Sequence, residues 1–368
     1  MTRPLHILHV FPTFRIGGAQ MRFVELAKGF GEAFAHTVIA LDGAYGAARF
    51  LPPGLRITLG GMPSKAGSLP KRLGRYRAEI TAHAPDLLVT YNWGSIEWAM
   101  ANFAGGVGHI HIEDGFGPEE AVRQFRRRVW TRRLTLCRSQ VIVPSLTLQA
   151  LARDVWRLDP ARVHYIPNGI PARDPATPRA VLPELPAGRP RIVWAGAVRR
   201  EKNLPRLLDA FAPLRDDAFL IVAGEGPELE PARRQAEALF LGGSILFLGR
   251  REDVRDILPH CDLMALSSDT EQMPLVVLEA MEAGLPLAAT GVGDVLHMVS
   301  DANRPYIVNK SDTELGNALR TLVADTGLRH AVGTANRRRF LQDYQAEAMI
   351  AAYAALFRRT AGEKVRVA

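Results

Sequence analysis

Glu271 and Glu279 stand eight residues apart, on either side of the run Gln272-Met273-Pro274-Leu275-Val276-Val277-Leu278. Pro274 predicts the first residue of a helix, because proline lacks the N–H that is unsatisfied there in any case. The N–H groups of Leu275, Val276 and Val277 then have no partner within the helix, and they favour an anion. Glu271 falls in the loop at the lip of this seat, and Glu279 lies a turn further in. Amides suit a pyrophosphate, and carboxylates suit the hydroxyls of a sugar and a ribose, so the stretch fits a sugar nucleotide. A merely solvated Glu279 would have polar neighbours, yet Leu275–Leu278 and Ala280-Met281 are apolar. A carboxylate inside a mostly buried helix needs a partner. Glu282, three residues on, reads as structural.

These residues must be held by a scaffold, and the chain offers one in short apolar runs alternating with amphipathic helical patterns. That is the pattern of parallel sheets built from βαβ units. Strands are predicted at Leu5–Phe11, His36–Ala40, Asp86–Tyr91, Gly108–Ile112, Gln140–Val143 and Val163–Ile166, with a helix over Ala19–Phe30. Residues 171–190 hold six prolines with little periodicity and read as a linker. Alternation then resumes. Strands are expected at Arg191–Ala195, Ala218–Ala223, Ile245–Leu248, Leu263–Ser267 and Leu285–Ala289, and helices at Leu204–Ala212, Glu228–Leu239 and Asp253–Leu258. The expected division is 1–170, linker 171–190, 191–342, and a final helical segment 343–368. Ligands of doubly wound sheets bind beyond the carboxyl ends of the strands. The loops to watch are therefore Gly17-Gly18, Gly196, Gly224-Glu225-Gly226, Gly249 and Glu271. Lys202 sits in the loop after Arg191–Ala195, beside Arg199, Arg200 and Glu201, where a plain surface lysine is the alternative.

A chain of 368 residues is too long for one ordinary core and suggests two domains. A formal charge of +8 and a pI near 9.8 favour acidic partners, whether nucleotides, anionic lipid or nucleic acid. Cys137 and Cys261 lie in apolar sequence and read as buried thiols of a reducing compartment, hence a cytoplasmic protein. The start reads as a first strand rather than a signal peptide. No run approaches the roughly 20 apolar residues of a membrane span. No Asp-x-Asp pair follows a strand and no Cys/His cluster has ligand spacing, so no metal ligands are assigned and no cofactor is expected. Cationic side chains and a helix dipole then have to stabilise a departing diphosphate.

The segment from Arg123 to Arg133, read as a helix, places Phe125, Val129 and Leu136 on one stripe with arginines around them. It reads as an ordinary surface helix with that stripe turned inward, or as an interfacial helix drawn to anionic lipid. Nucleic-acid binding ranks last, since no recognised module accompanies the charge.

Several residues together carry a resemblance. Gly17-Gly18-Ala19-Gln20 follows the first strand, and Pro167-Asn168-Gly169-Ile170 precedes the linker. Gly196 and Glu201-Lys202-Asn203 follow the first strand of the second half, and then come Gly224-Glu225-Gly226-Pro227 and Leu248-Gly249. The stretch Glu271 to Glu279, continuing Ala280-Met281-Glu282-Ala283-Gly284-Leu285-Pro286, is the most specific of them. In this order they resemble a retaining glycosyltransferase of family 4. That resemblance implies an α/β GT-B fold of two facing Rossmann-like doubly wound domains with an interdomain cleft. It implies transfer of a sugar from a UDP- or GDP-sugar to an acceptor hydroxyl, in polysaccharide or glycolipid synthesis among other settings, with anomeric retention. It implies that Lys202 balances charge on the leaving diphosphate, that Glu271 contacts donor sugar hydroxyls, and that Glu279 contacts the ribose. Gly17 and Gly18 let backbone approach the phosphates, and Gly196 and Arg199 are counted among the donor-binding residues. Met273, Pro274 and Leu275 line the phosphate seat, and Gly249 to Val254 passes the base. The final helix, about residues 343–358, crosses back to the first domain.

Three positions depart from the family's pattern. Ala197 stands where an arginine is usual, with Arg199 and Arg200 nearby. Gln272 stands where glycine often follows the first glutamate. Asp114, in His111-Ile112-Glu113-Asp114-Gly115, stands where histidine is common. The acceptor-positioning role thus lies open among Asp114, His111 and neither, although Glu113, Asp114, Glu119 and Glu120 make the region acidic and Gly115 and Gly117 loosen it. A non-catalytic sugar-nucleotide-binding protein, and an epimerase or phosphorylase on the same fold, are the competing expectations.

Overall fold

The computed structural model describes residues 3–103, 106–116, 120, 124–174, 176–177, 179–183 and 185–362. Gly117, Glu119, Arg123 and the tail 363–368 lie outside the described residues. The chain forms two units, Met1–Gly169 with Ala346–Ala368, and Ile170–Gln345.

Unit 1 runs β1 (Leu5–Phe11), α1 (Gly18–Phe30), β2 (Phe34–Ala40), β3 (Ile57–Leu59), α2 (Leu69–His83), β4 (Leu87–Tyr91), α3 (Ile96–Asn102), β5 (Gly108–Ile112), α4 (Arg126–Leu136), β6 (Gln140–Val143), α5 (Leu146–Ala150) and β7 (Val163–Tyr165). The sheet is parallel, in the order β3-β2-β1-β4-β5-β6-β7. Its central strands are continuous apolar runs because both faces are covered. Ile7 and Phe11 of β1 enter one core layer with Val38 and Val89, while Leu8 and Val10 enter the other with Ile39 and Leu88. β3 escapes sequence reading because it is a short edge strand, with Leu59 exposed and no alternation to betray it.

Unit 2 runs β8 (Arg191–Ala195), α6 (Leu204–Phe211), β9 (Phe219–Ala223), α7 (Leu229–Ala238), β10 (Ile245–Gly249), α8 (Val254–Ile257), β11 (Leu263–Leu266), α9 (Leu275–Glu282), β12 (Leu287–Thr290), α10 (Val295–Met298), β13 (Ile307–Val308), α11 (Asp312–Ala324) and α12 (Thr326–Asp343). Its parallel sheet has the order β10-β9-β8-β11-β12-β13. β12 starts two residues later than its apolar run, since Leu285 still donates to the Ala280 carbonyl at 2.9 Å and Pro286 has no N–H to give the ladder. A last helix, α13 (Ala346–Gly362), returns to unit 1, where Met349, Tyr353 and Phe357 join the core around Phe11 and Phe23. Both units are thus doubly wound and Rossmann-like.

The proline-rich segment 170–190 belongs to unit 2. Ala180, Leu182 and Leu185 pack against its core, and Arg173 bonds Asp256 at 3.0 Å. Cys261 is buried as expected, and burial beside Asp262 pushes its thiol up to about 12. Cys137 is exposed, contrary to expectation, because it follows α4 on that helix's outward row. Among the described residues no helix is long and apolar enough to cross a membrane.

Candidate functional site

In unit 2 the strand order turns back on itself at β8 and β11, and their carboxyl ends carry the two loops of interest. β8 leads through Gly196 into a single helical turn, Arg200–Lys202, and Asn203 then caps α6 by accepting from the Arg206 N–H at 3.2 Å. β11 leads through Ser267 and Ser268 to Glu271. The two loops are stitched together. The Asp269 N–H donates to the Glu201 carbonyl at 2.8 Å, the Ser267 hydroxyl donates to the Lys202 carbonyl at 3.0 Å, and Arg206 donates to both the Ser267 carbonyl and Asp269.

That stitching brings Lys202 Nζ to 2.5 Å from Glu271 Oε1, which also accepts from the buried Ser268 hydroxyl at 2.8 Å. The pair keeps limited access, with 25% of the Lys202 side chain and 10% of Glu271 exposed. Two glycines admit the crowding. A Cβ on Gly293, whose φ is +54°, would lie 2.3 Å from the Glu271 carbonyl oxygen, and one on Gly224 would lie 2.0 Å from that of Gly196. No side chain fits at either place.

Beyond Glu271, Met273 and Pro274 are buried, and α9 opens at Leu275 with Pro274 just ahead of it as the cap residue. The Val277 N–H donates to the Pro274 carbonyl at 3.1 Å, so the seat expected from three amides is left to those of Leu275 and Val276. Glu279 lies in the second turn of α9. Glu282 is structural in its contacts, accepting from the Arg173 N–H at 3.0 Å. Gly249 ends β10 with φ +65°, two strands from β8, and Arg251 just beyond it binds Asp253 at 2.5 and 2.7 Å. Arg199 is exposed at the start of the Lys202 turn, and Ala197 is exposed two residues before it.

Burial holds the Glu279 carboxyl above the ordinary carboxylate range. The Arg255 guanidinium opposes that rise, and the neighbouring Glu282 adds to it. A carboxyl raised in the folded state holds a proton that the unfolded chain releases. Its contribution is present below the unfolded value and is lost as pH climbs through the folded one. Glu279→Gln is therefore expected to melt higher than wild type at pH 7, with the gap closing as pH falls through the carboxylate range. Paired melting curves across pH check this, and a gap that stays constant would contradict it.

The remaining expected residues lie in unit 1. Gly17 caps α1 in extended backbone and Gly18 is its exposed first residue. Asp114, after β5, is gripped by Arg22 of α1 at 2.5 and 2.9 Å, and its N–H donates to Asn92 Oδ1 at 2.7 Å. Arg22 also donates to Asn168 at 3.0 Å. Nearly a fifth of the Asp114 side chain stays accessible. His111 has no exposed surface. Its Nδ1 bonds the Thr90 hydroxyl at 2.8 Å and its Nε2 lies 3.6 Å from Glu113. A ring sealed in the sheet does not itself meet an acceptor hydroxyl.

Glu113 is buried against Arg132 at 3.1 Å, and the Arg132 guanidinium lies over the rings of Trp93, Phe116 and Trp156. Sequence reading singled out neither Ser268 nor Arg22, because their importance lies in partners 3 and 92 residues away that only folding reveals. A recess lined by Leu41, Lys65, Arg72, Tyr76 and Glu97 at the β2 and β4 ends was likewise not legible. Among the described residues no group of three or more His, Cys, Asp or Glu is arranged to hold a metal ion.

Comparison with known proteins bears on this arrangement. Residues 16–174 match the family described as Glycosyltransferase Family 4, and residues 183–339 match Glycosyl transferases group 1. The D-inositol 3-phosphate glycosyltransferase of Xylanimonas cellulosilytica is 31% identical over 247 residues, covering 60% of this chain and 59% of the relative. The N-acetyl-alpha-D-glucosaminyl L-malate synthase of Bacillus anthracis is 28% identical over 43% of this chain and 42% of its own. These alignments span about half the length of each relative. In structure, Anabaena HepE in complex with UDP and glucose matches with a TM-score of 0.81 at 20% identity, over 96% of this chain and 100% of HepE. Such a likeness shows a shared GT-B fold class. Two family halves in chain order, each falling on a doubly wound unit, lead to one assignment: the protein belongs to the glycosyl transferases group 1, with a family 4 amino-terminal half.

Proposed function

We propose that this protein transfers a glycosyl group from a nucleoside diphosphate sugar to an acceptor hydroxyl, with retention at the anomeric carbon. The observation that carries the reading is the Lys202–Glu271 pair, clamped at the switch point of unit 2 beside the start of α9. A carboxylate already holding a lysine suits a sugar hydroxyl on one side and leaves the ammonium facing a diphosphate oxygen. In the reaction, the bond from the anomeric carbon to the diphosphate oxygen breaks and its electron pair leaves with the nucleotide. The acceptor oxygen bonds the same carbon, and its proton passes to the leaving phosphate oxygen, which removes the need for a dedicated side-chain base. Lys202, the Leu275 and Val276 amides and the α9 dipole would offset the charge that develops, without a divalent ion. Glu279 would meet the ribose. Unit 1 would receive the acceptor, with Asp114 held ready by Arg22.

A thermal-shift panel tests the reading. A nucleoside diphosphate sugar at 100 times its dissociation constant adds roughly 2.7 kcal/mol of stability. UDP-sugars come first in the panel, given the UDP bound to HepE, and GDP-sugars second. The expected result is a rise in Tm with one donor that is lost in Lys202→Ala, accompanied by sugar release or transfer. A rise in Tm without turnover on any acceptor would favour a sugar-nucleotide-binding protein. Inversion of the sugar without transfer would favour an epimerase, and no rise with any nucleotide would overturn the site.

A further inference from the structure

α4 is folded inside out for a surface helix. Its outward row, at spacings of one, four, seven and eight from the start, is Arg126, Arg127, Trp130, Arg133 and Leu134, all exposed. Trp130 is 54% and Leu134 64% exposed, and Phe125, just ahead of the helix, is 49% exposed. The expected inward stripe of Phe125, Val129 and Leu136 fails at Phe125. The inward face instead takes in Arg132, which is 1% exposed. Carboxylates explain the inversion. Glu113 and Glu120 neutralise Arg132 and Arg128 from within. The outward arginines have no such counterpart: among the described residues no carboxylate lies against Arg126, Arg127, Arg133 or Arg138. Two of them lie on rings that are themselves exposed, Arg133 at 5.2 Å over Trp130 and Arg138 at 5.0 Å over Phe103.

We propose that this face of α4 is a docking surface for an anionic phospholipid membrane. An exposed tryptophan and leucine one turn apart, flanked by exposed arginines, match the interface of a bilayer. The apolar tips enter the acyl boundary and the guanidinium groups meet phosphate. A second copy of the chain is a poor occupant, because a two-fold contact sets the patch against itself and brings the arginines of both copies together. Nucleic acid leaves Leu134 and Phe125 without a role. The surface lies on unit 1 and does not depend on the reading of the Lys202 site.

Flotation of the full chain with vesicles of phosphatidylcholine, with and without phosphatidylglycerol, tests the proposal. Wild type is expected to float with the anionic vesicles and to stay behind with the neutral ones. Arg126→Ala/Arg127→Ala/Arg133→Ala loses roughly fivefold per arginine, about 100-fold in all. Trp130→Ser/Leu134→Ser loses binding at unchanged net charge. Brominated lipid quenches part of the tryptophan emission in wild type, and Trp130→Phe abolishes that part. All these side chains are exposed, so unchanged melting curves establish that the variants fold. The proposal is overturned if wild type ignores anionic vesicles, or if both multiple variants bind as wild type does. It is also overturned if sedimentation shows a dimer that Trp130→Ser/Leu134→Ser dissociates.

Discussion

Lys202→Ala is expected to fold as wild type does and to turn over about 100- to 1,000-fold more slowly, the range seen when one preorganised charge-stabilising donor is removed from a transition state. The fold survives because Glu271 keeps its bond from Ser268 and the Lys202 backbone keeps its own bonds to Ser267 and Arg199. The rate falls because nothing else on the β8 loop brings a cation to Glu271. Arg199 and Arg200, on the same loop, are exposed. The loss should appear mainly in kcat, since the charge on the diphosphate grows as the sugar departs. Glu271→Gln, which keeps the shape and loses the charge, should raise KM for the donor as well. Initial rates over a donor series measure both. A Lys202→Ala rate within threefold of wild type would remove this residue from the chemistry.

The second large effect concerns stability. Glu113→Ala is expected to cost about 3–5 kcal/mol, the usual consequence of stripping the partner from a buried charge. Arg132 is enclosed by Trp93, Phe116 and Trp156, with Glu113 at 3.1 Å and Glu120 at 3.6 Å, and Glu120 already serves Arg128 at 2.8 Å. Aromatic faces soften the charge but do not replace a carboxylate. Replacing both members, as Glu113→Leu/Arg132→Met, should recover much of the loss, because no ion is left stranded. Urea midpoints of the two variants decide the matter. A single-variant loss under about 1 kcal/mol would mean that Glu120 alone suffices.

Much of the molecule was open to reading from its residues. Continuous apolar runs can serve only strands covered on both faces, so β1, β4, β8 and β9 emerged within a residue or two of their places. Glycines and glutamates after those strands marked the loops at the sheet's carboxyl edge. The misses share one cause. Periodicity puts Phe125 of the α4 segment inward and its arginines outward, because it assumes that apolar side chains face inward. Glu113 and Glu120, distant in space until the chain folds, reversed that assumption locally. The Val277 amide was counted as free because a local pattern does not show that the Pro274 carbonyl takes it.

By itself, then, the order of residues determined two doubly wound units and the loops that carry Lys202 and Glu271, because apolar periodicity and turn chemistry are local. Only tertiary structure decided that those two side chains meet at 2.5 Å, that Arg22 grips Asp114, and that α4 turns Arg132 inward and Trp130 out. Each of these depends on charge pairing across 19 to 92 residues, and such pairing is settled by packing rather than by neighbours along the chain.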